Sequence, residues 1–291
     1  MTIFAKYDPQ LEALISLLDE PDPGAFSKIR NQIFAYGTSA VPVLESAWEH
    51  TFDHMLQQRI EEIIHNIQYD QLFLDLTQWT HYGNDDLLEG YLLFTKYQYQ
   101  SIDIEALRLQ IHVICRDIWL ELNDNLTALE KVKVLNHIIF DLHKFQLPLR
   151  QTTEPRYLFL NNLLDSHTGY AISIGILYTL LAQRLDLPVK GIVLPGERYI
   201  MAWYDQAGIR QGKPERAMFY INPENRGGVF TRNEIIALFR KLKISPDESY
   251  FKPFSSVRIV DKLFELLLYL RTAVGDESHN SEIEHLRSAL S

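Results

Sequence analysis

The sequence predicts an α+β fold that is predominantly helical: helical hairpins first, then a core with a small antiparallel sheet, then C-terminal helices. Three observations predict it. Apolar residues recur at helical spacing through most of the first 145 residues, beginning with Leu11, Leu14, Ile15 and Leu18. Strand-like runs are confined to the stretch after Pro188, where Arg198-Tyr199-Ile200-Met201-Ala202-Trp203-Tyr204 puts alternate side chains on opposite faces. Two leucine-striped segments then close the chain, Leu263, Leu266, Leu267 and Leu270 on one and Ile283, Leu286 and Leu290 on the other.

The totals agree with a globular chain. A length of 291 residues gives room for a sizeable core, and a hydrophobic share of 46% beside 23% charged residues is that of a soluble protein. The formal charge of −10, from 28 Lys+Arg against 38 Asp+Glu, argues against nucleic acid or an anionic membrane as partner. No run of apolar residues is long enough to span a bilayer. MTIFAKYDPQ at the start has no basic region leading into an apolar run. One cysteine, Cys115, cannot form an intramolecular disulfide or a cysteine-based metal cluster. The expectation is a cytoplasmic protein without cofactor or metal.

In order, Leu11 to Leu18 stripe a first helix that Pro21-Asp22-Pro23-Gly24 ends, and Phe26, Ile29, Ile33 and Phe34 stripe the next. Ser39 is placed to cap a helix with Pro42 in its first turn, and Met55 to Ile67 make its partner. Ala40-Val41-Pro42-Val43-Leu44 followed by an amphipathic helix resembles a HEAT-type unit, and ordinary helical-hairpin packing explains it equally well. Helices are expected at 71–81, 85–99, 103–122 and 126–142, with Asp85 as an N-cap after the Gly83-Asn84 break. His50 and His54 have the spacing of a helical metal pair, but Thr51 stands where such motifs carry Glu and a helix break is expected between them. Cys115, among Ile111, Ile114 and Ile118, reads as a small buried hydrophobe.

After Phe145 the periodicity lapses in a loop holding Pro148 and Pro155, and a short helix Tyr157–Leu164 follows. The helix Gly169–Leu185 is apolar on nearly every side and therefore reads as buried. A strand runs to Leu194, a second spans Arg198–Tyr204, and a third enters Ile221-Asn222-Pro223. The polar stretch Asp205–Glu215 between the last two reads as a turn. If residue 204 pairs with 216, residue 198 falls opposite 222. Thr231 with Glu234 forms a capping-box pattern before a helix at 232–242, and helices follow at 257–273 and 280–290, the last two like one tetratricopeptide-type hairpin. Three parts are expected: 1–125, 126–255 and 256–291.

From about Leu129 onward the chain resembles the SirB-type bacterial branch of the transglutaminase-like superfamily, whose core is papain-like. The resemblance rests on Leu135-Asn136-His137 with Phe140, Tyr157-Leu158, and Gly169-Tyr170-Ala171-Ile172-Ser173-Ile174. It continues through Leu185-Asp186-Leu187-Pro188-Val189, Leu194-Pro195, Tyr220-Ile221-Asn222-Pro223 and Gly227-Gly228. In that superfamily a cysteine opens the buried helix, a histidine lies on the next strand and an aspartate one strand later. The helix N-terminus lowers the thiol pKa, the imidazole pairs with the thiolate, and the carboxylate orients the imidazole.

Carried over, those positions fall at Ala171, Arg198 and Asn222. Alanine has no nucleophilic atom, arginine cannot accept a proton, and asparagine has no imidazole to orient. Ser173 lies about 200° round the helix from Ala171 and faces elsewhere. The resemblance thus implies a catalytically inactive protein that binds a protein or peptide. Tyr170, Ala171, Arg198 and Asn222 are candidate binding residues, with Arg198 and the N–H groups at 169–172 a candidate anion site. Two other readings fit the same residues: a divergent hydrolase or acyltransferase using non-standard residues, and a helical-repeat adaptor in which the core is a support.

Overall fold

A computed structural model describes residues 8–196, 198–205 and 216–291. Packing divides the chain into two units, one up to Thr77 and one from Gln78, and each is described by itself.

The first unit is helical. α1 (Pro9–Ile15) and α2 (Pro23–Phe34) each begin with Pro at the first helical position behind an aspartate N-cap. Asp8 accepts from the Gln10 N–H and Asp22 from the Ala25 N–H. α3 (Val41–His50) follows a 3₁₀ turn at Gly37–Ala40, and α4 (His54–Tyr82) begins in this unit. The stripes meet in one cluster containing Leu11, Leu18, Ile33, Leu44, Ile60 and Ile63. Arg59 closes the end of the first hairpin. Its guanidinium lies 4.3 Å from the Phe26 ring centre and donates to the Leu18 and Glu20 carbonyls at 2.7 and 2.8 Å.

Three local expectations need correcting. Ser39 caps no helix; it is spent inside the 3₁₀ turn, donating to the Tyr36 carbonyl at 2.6 Å. No break separates Ile67 from Gln71, because α4 runs on for 29 residues with nothing in 68–70 to stop it. Asp86, not Asp85, caps α5 (Leu87–Gln98), accepting from the Glu89 N–H at 3.1 Å. The expected break between His50 and His54 is present, and His50 Nδ1 is bonded to the Ser46 carbonyl at 2.6 Å.

In the second unit α6 (Ile104–Glu121) is capped by Asp103, and α7 (Ala128–Asn136) by a capping box between Thr127 and Glu130. Beyond Asn136 the chain widens into a π-helical turn, His137–Leu142, where the sequence predicted an unbroken α-helix to 142. A 3₁₀ turn at Pro155–Leu158 precedes α8 (Leu160–Ser166) and α9 (Ala171–Arg184). Every residue of α9 from Ile172 to Ala182 is buried, as its all-round apolar character predicted.

The sheet is four-stranded and antiparallel, in the order β1 (Val189–Leu194), β2 (Arg198–Tyr204), β3 (Ala217–Asn222), β4 (Gly228–Phe230). β4 was not anticipated; three residues are too few to show alternation. The expected turn lies, apart from Asp205, outside the described residues. The expected register is overturned. Tyr204 pairs with Ala217, the ladder shifts between Trp203 and Tyr204, and Met201 then pairs with Ile221. One further step sets Asn222 opposite Ile200, not Arg198.

α10 (Arg232–Lys241) has the predicted Thr231–Glu234 capping box and covers one face of the sheet, where Ile235 and Phe239 meet Ile200, Ala202, Tyr204 and Tyr220. α11 (Ser256–Ala273) packs on α5 through Phe264, whose ring meets Phe94 edge-on at 4.9 Å, and is tied to α12 (Asn280–Ser288) by Arg287 and Asp261 at 2.7 Å.

The other face of the sheet meets α9. Tyr199 fills the space between them. A Cβ on Gly175 of α9 would lie 2.5 Å from its ring, and one on Gly191 of β1 would lie 2.1 Å from its hydroxyl. That hydroxyl sits 3.2 Å from Thr179 Oγ1. Gly191→Ala should therefore cost about 1–3 kcal/mol through overpacking. Tyr199→Phe, which removes the clashing oxygen, should recover part of that loss. Urea denaturation of both single variants and the double variant checks this, and additive losses would rule out the contact.

Candidate functional site

The start of α9 is where the family chemistry would lie. Tyr170 is its N-cap residue and Ala171 its first helical residue, half-buried, with no side-chain cap. The approach is fixed by backbone bonds. The Gly169 N–H donates to the Gln146 carbonyl at 3.1 Å and the Tyr170 N–H to the Tyr157 carbonyl at 3.2 Å. Two of the N–H groups expected to be free for an anion are therefore spent. The Tyr170 hydroxyl donates to the carbonyls of Thr152 and Glu154 at 2.9 and 3.1 Å. Burial first, and then the Glu154 charge, push its pKa up to about 12. Ser173 is fully buried and donates to the Tyr157 carbonyl at 2.9 Å.

Asn222 ends β3 and its side chain accepts from the Glu224 N–H at 2.9 Å, capping the short 3₁₀ turn Pro223–Asn225 that packs on α9. Arg198 stands apart. It is exposed at the start of β2, and by alternation shares its face with Ile200, Ala202 and Tyr204, which pack toward α10. The residues of β2 that face α9 are Tyr199 and Met201. The structure thus places Tyr170 and Ala171 at the start of α9, while Arg198 shares its face of the sheet with Ile200, the residue that the register sets opposite Asn222.

A contact that the sequence reasoning missed closes this side. Asn136 Nδ2 donates to the Gly227 carbonyl at 2.8 Å, and a Cβ on Gly227 would lie 1.9 Å from Asn136 Oδ1. Gly227 also has φ +75°, so only glycine fits without strain. Beside it Arg226, itself left-handed at φ +46°, reaches the π turn, donating to the Phe140 carbonyl at 2.9 Å and the Asp141 carboxylate at 2.5 Å. Both partners were visible as motif residues, Leu135-Asn136-His137 and Gly227-Gly228, but nothing in their order said that they touch.

The hydrogen bond from Arg226 and, to a smaller extent, the bond from His137 hold the Asp141 carboxyl below the usual carboxylate range. Cys115 lies on α6, 8% exposed, and desolvation pushes its thiol up to about 11 although the Arg184 charge opposes the shift. Among the described residues no helix is long and apolar enough to cross a membrane.

The model of the transglutaminase-like superfamily matches residues 105–265. A UPF0162 protein of Buchnera aphidicola subsp. Baizongia pistaciae (strain Bp) is 28% identical over 121 residues, 41% of this chain and 41% of that relative. A UPF0162 protein of Buchnera aphidicola subsp. Schizaphis graminum (strain Sg) is 26% identical over 115 residues, 38% of each. The matched stretch thus spans well under half the length of either relative. No solved structure matches.

Two outcomes follow from the ionisation of these groups. A thiol at about 11 leaves roughly 0.1% thiolate at pH 8, so Cys115 in the folded chain should react with a disulfide reagent at least a hundredfold more slowly than in urea. Stopped-flow absorbance measures it, and equal rates would refute the burial. Asp141 has a lowered folded pKa, so its stabilisation is present above the unfolded carboxylate range and lost as pH falls through the folded value. Asp141→Asn should therefore lower Tm near pH 7 and leave a flatter acid limb than the parent chain. Parallel Tm–pH curves would contradict this sign.

Proposed function

The chain belongs to the transglutaminase-like superfamily, and on that premise we propose that it is a catalytically inactive member that works as a protein- or peptide-binding module. We place it in the SirB-type bacterial branch and in the cytoplasm, with the helices of its first part as a HEAT-like flank. The observation that carries the reading is the start of α9. Thiol chemistry needs a cysteine there, and Ala171 occupies the first helical position. The groups around it do not substitute. Ser173 is buried and bonded to a backbone carbonyl, and Cys115 is a buried, protonated thiol on another helix. From β2 the described side chains that face α9 are a tyrosine and a methionine, neither of which is a base at neutral pH.

What remains is a rigid surface: Tyr170 bolted to the 152–154 loop, Asn222 capping the next turn, and Gly227 locked to Asn136. Such a surface holds a ligand without transforming it. The purified chain should show no turnover of peptide, amide or ester substrates above the buffer rate, and Ser173→Ala and Cys115→Ala should leave that baseline unchanged. Turnover abolished by either substitution would overturn the proposal in favour of a hydrolase or acyltransferase.

A further inference from the structure

The sheet's other face, away from α9, carries an open cleft of about 740 Å³ whose floor includes Tyr204 and Tyr220 and whose rim includes Arg216, Arg232 and Lys252. We infer that this cleft binds an acidic peptide segment, one that alternates carboxylate and apolar side chains. The inference rests on the reading of the chain as a binding module and names the ligand chemistry and the place.

Charge is the first argument. The chain as a whole is formally −10, yet among the described residues the cleft gathers three cations against one acid, Glu248. Arg232 is committed in part: it pairs with Glu248 and sits over Phe251, 4.2 Å from the ring centre. Five guanidinium donors against one exposed carboxylate leave donors for a ligand. Arg216 and Lys252 form no ion pair among the described residues, although Lys252 acts through space on Asp247. At the floor, desolvation raises the Tyr220 hydroxyl pKa, Arg232 and then Arg216 oppose the shift, and Glu248 adds to it. In an acidic protein, cations that outnumber acids among the described residues of one cleft select an anion and repel cationic competitors.

Shape and polarity choose a peptide over a free inorganic anion. Met218, on β3 within the same cleft, is 57% exposed, and Phe251 and Pro253 line the opposite wall. A phosphate or citrate would satisfy the cations and leave the thioether in water. A segment with an apolar side chain flanked by carboxylates covers Met218 and reaches Arg216 and Lys252 together. The volume is that of a site for several residues of extended chain.

The test uses the full chain and two labelled dodecapeptides, alternating Glu/Leu and alternating Lys/Leu, read by fluorescence anisotropy. The Glu/Leu peptide should bind, weaken as salt is raised, and lose at least tenfold in affinity with the double variant Arg216→Glu, Lys252→Glu. Both residues are exposed, so circular dichroism should be unchanged. Met218→Ser should weaken the Glu/Leu peptide while leaving citrate competition unaltered. Equal binding of the two peptides, indifference to the charge reversal, or citrate binding as tightly as the peptide overturns the inference. Should the Glu/Leu peptide bind with affinity indifferent to the cleft variant and be lost with Tyr170→Ala, this site falls and the binding-module reading stands. Should no peptide bind while the chain turns over an amide, that reading falls too.

Discussion

The close approach of α9 to the sheet is the constraint on which the second unit depends, and one ring sets it. Tyr199 occupies a slot that exists only because residue 175 of the helix and residue 191 of the neighbouring strand lack a Cβ. The ring excludes any gap between layers, and its hydroxyl finds Thr179, so the tyrosine enters the core without an unsatisfied polar group. With that spacing fixed, the residues of α9 from 172 to 182 are buried on every side. A wider spacing would forfeit dispersion contacts along the whole helix.

The same spacing fixes what happens at the helix's first turn. A helix start is an electropositive end with free N–H groups, the feature on which thiol enzymes rely. In this chain the approach to that end is bolted from the 146–158 stretch: Gln146 and Tyr157 carbonyls take the Gly169 and Tyr170 N–H groups, and Ser173 returns a bond to Tyr157. On the far side the π turn holds the 226–228 loop through Arg226 and Asn136. A π turn offers its carbonyls and side chains at angles that an α-helix would not, so the widening at His137 is what lets Asp141 and the Phe140 carbonyl meet one guanidinium. At the first helical position of this framed end stands the methyl group of Ala171.

Much of this was legible in the sequence, for reasons that are local. Stripes at helical spacing gave the first unit its core, the Thr231–Glu234 box marked the start of α10, and the all-apolar character of 172–182 identified the central helix. What stayed hidden is non-local or sub-residue. Tyr204 pairs one residue later than expected, with Ala217, and the irregularity between Trp203 and Tyr204 adds one more, so Asn222 moves by two positions relative to β2, and no propensity encodes where a ladder slips. Arg198 was expected beside Ala171 on the strength of that register, but period-two alternation alone places it on the face with Ile200 and Ala202. The slot for Tyr199 and the lock of Gly227 on Asn136 depend on pairs far apart in the chain, each ordinary when read alone.

The two faces of the sheet therefore have different chemistry for one geometric reason. On β2, Tyr199 and Met201 face α9, and Trp203 stacks on Phe219 of β3 at 5.9 Å. Even-numbered residues face α10, a shorter helix that covers Ile200 and Ala202 but leaves the end of the sheet at Tyr204 and Met218 open. The α9 face is packed with Tyr199 and Met201, and the cations Arg216, Arg232 and Lys252 border the cleft on the other. An acidic ligand of the kind inferred above would meet the second face, on the side of the sheet away from α9.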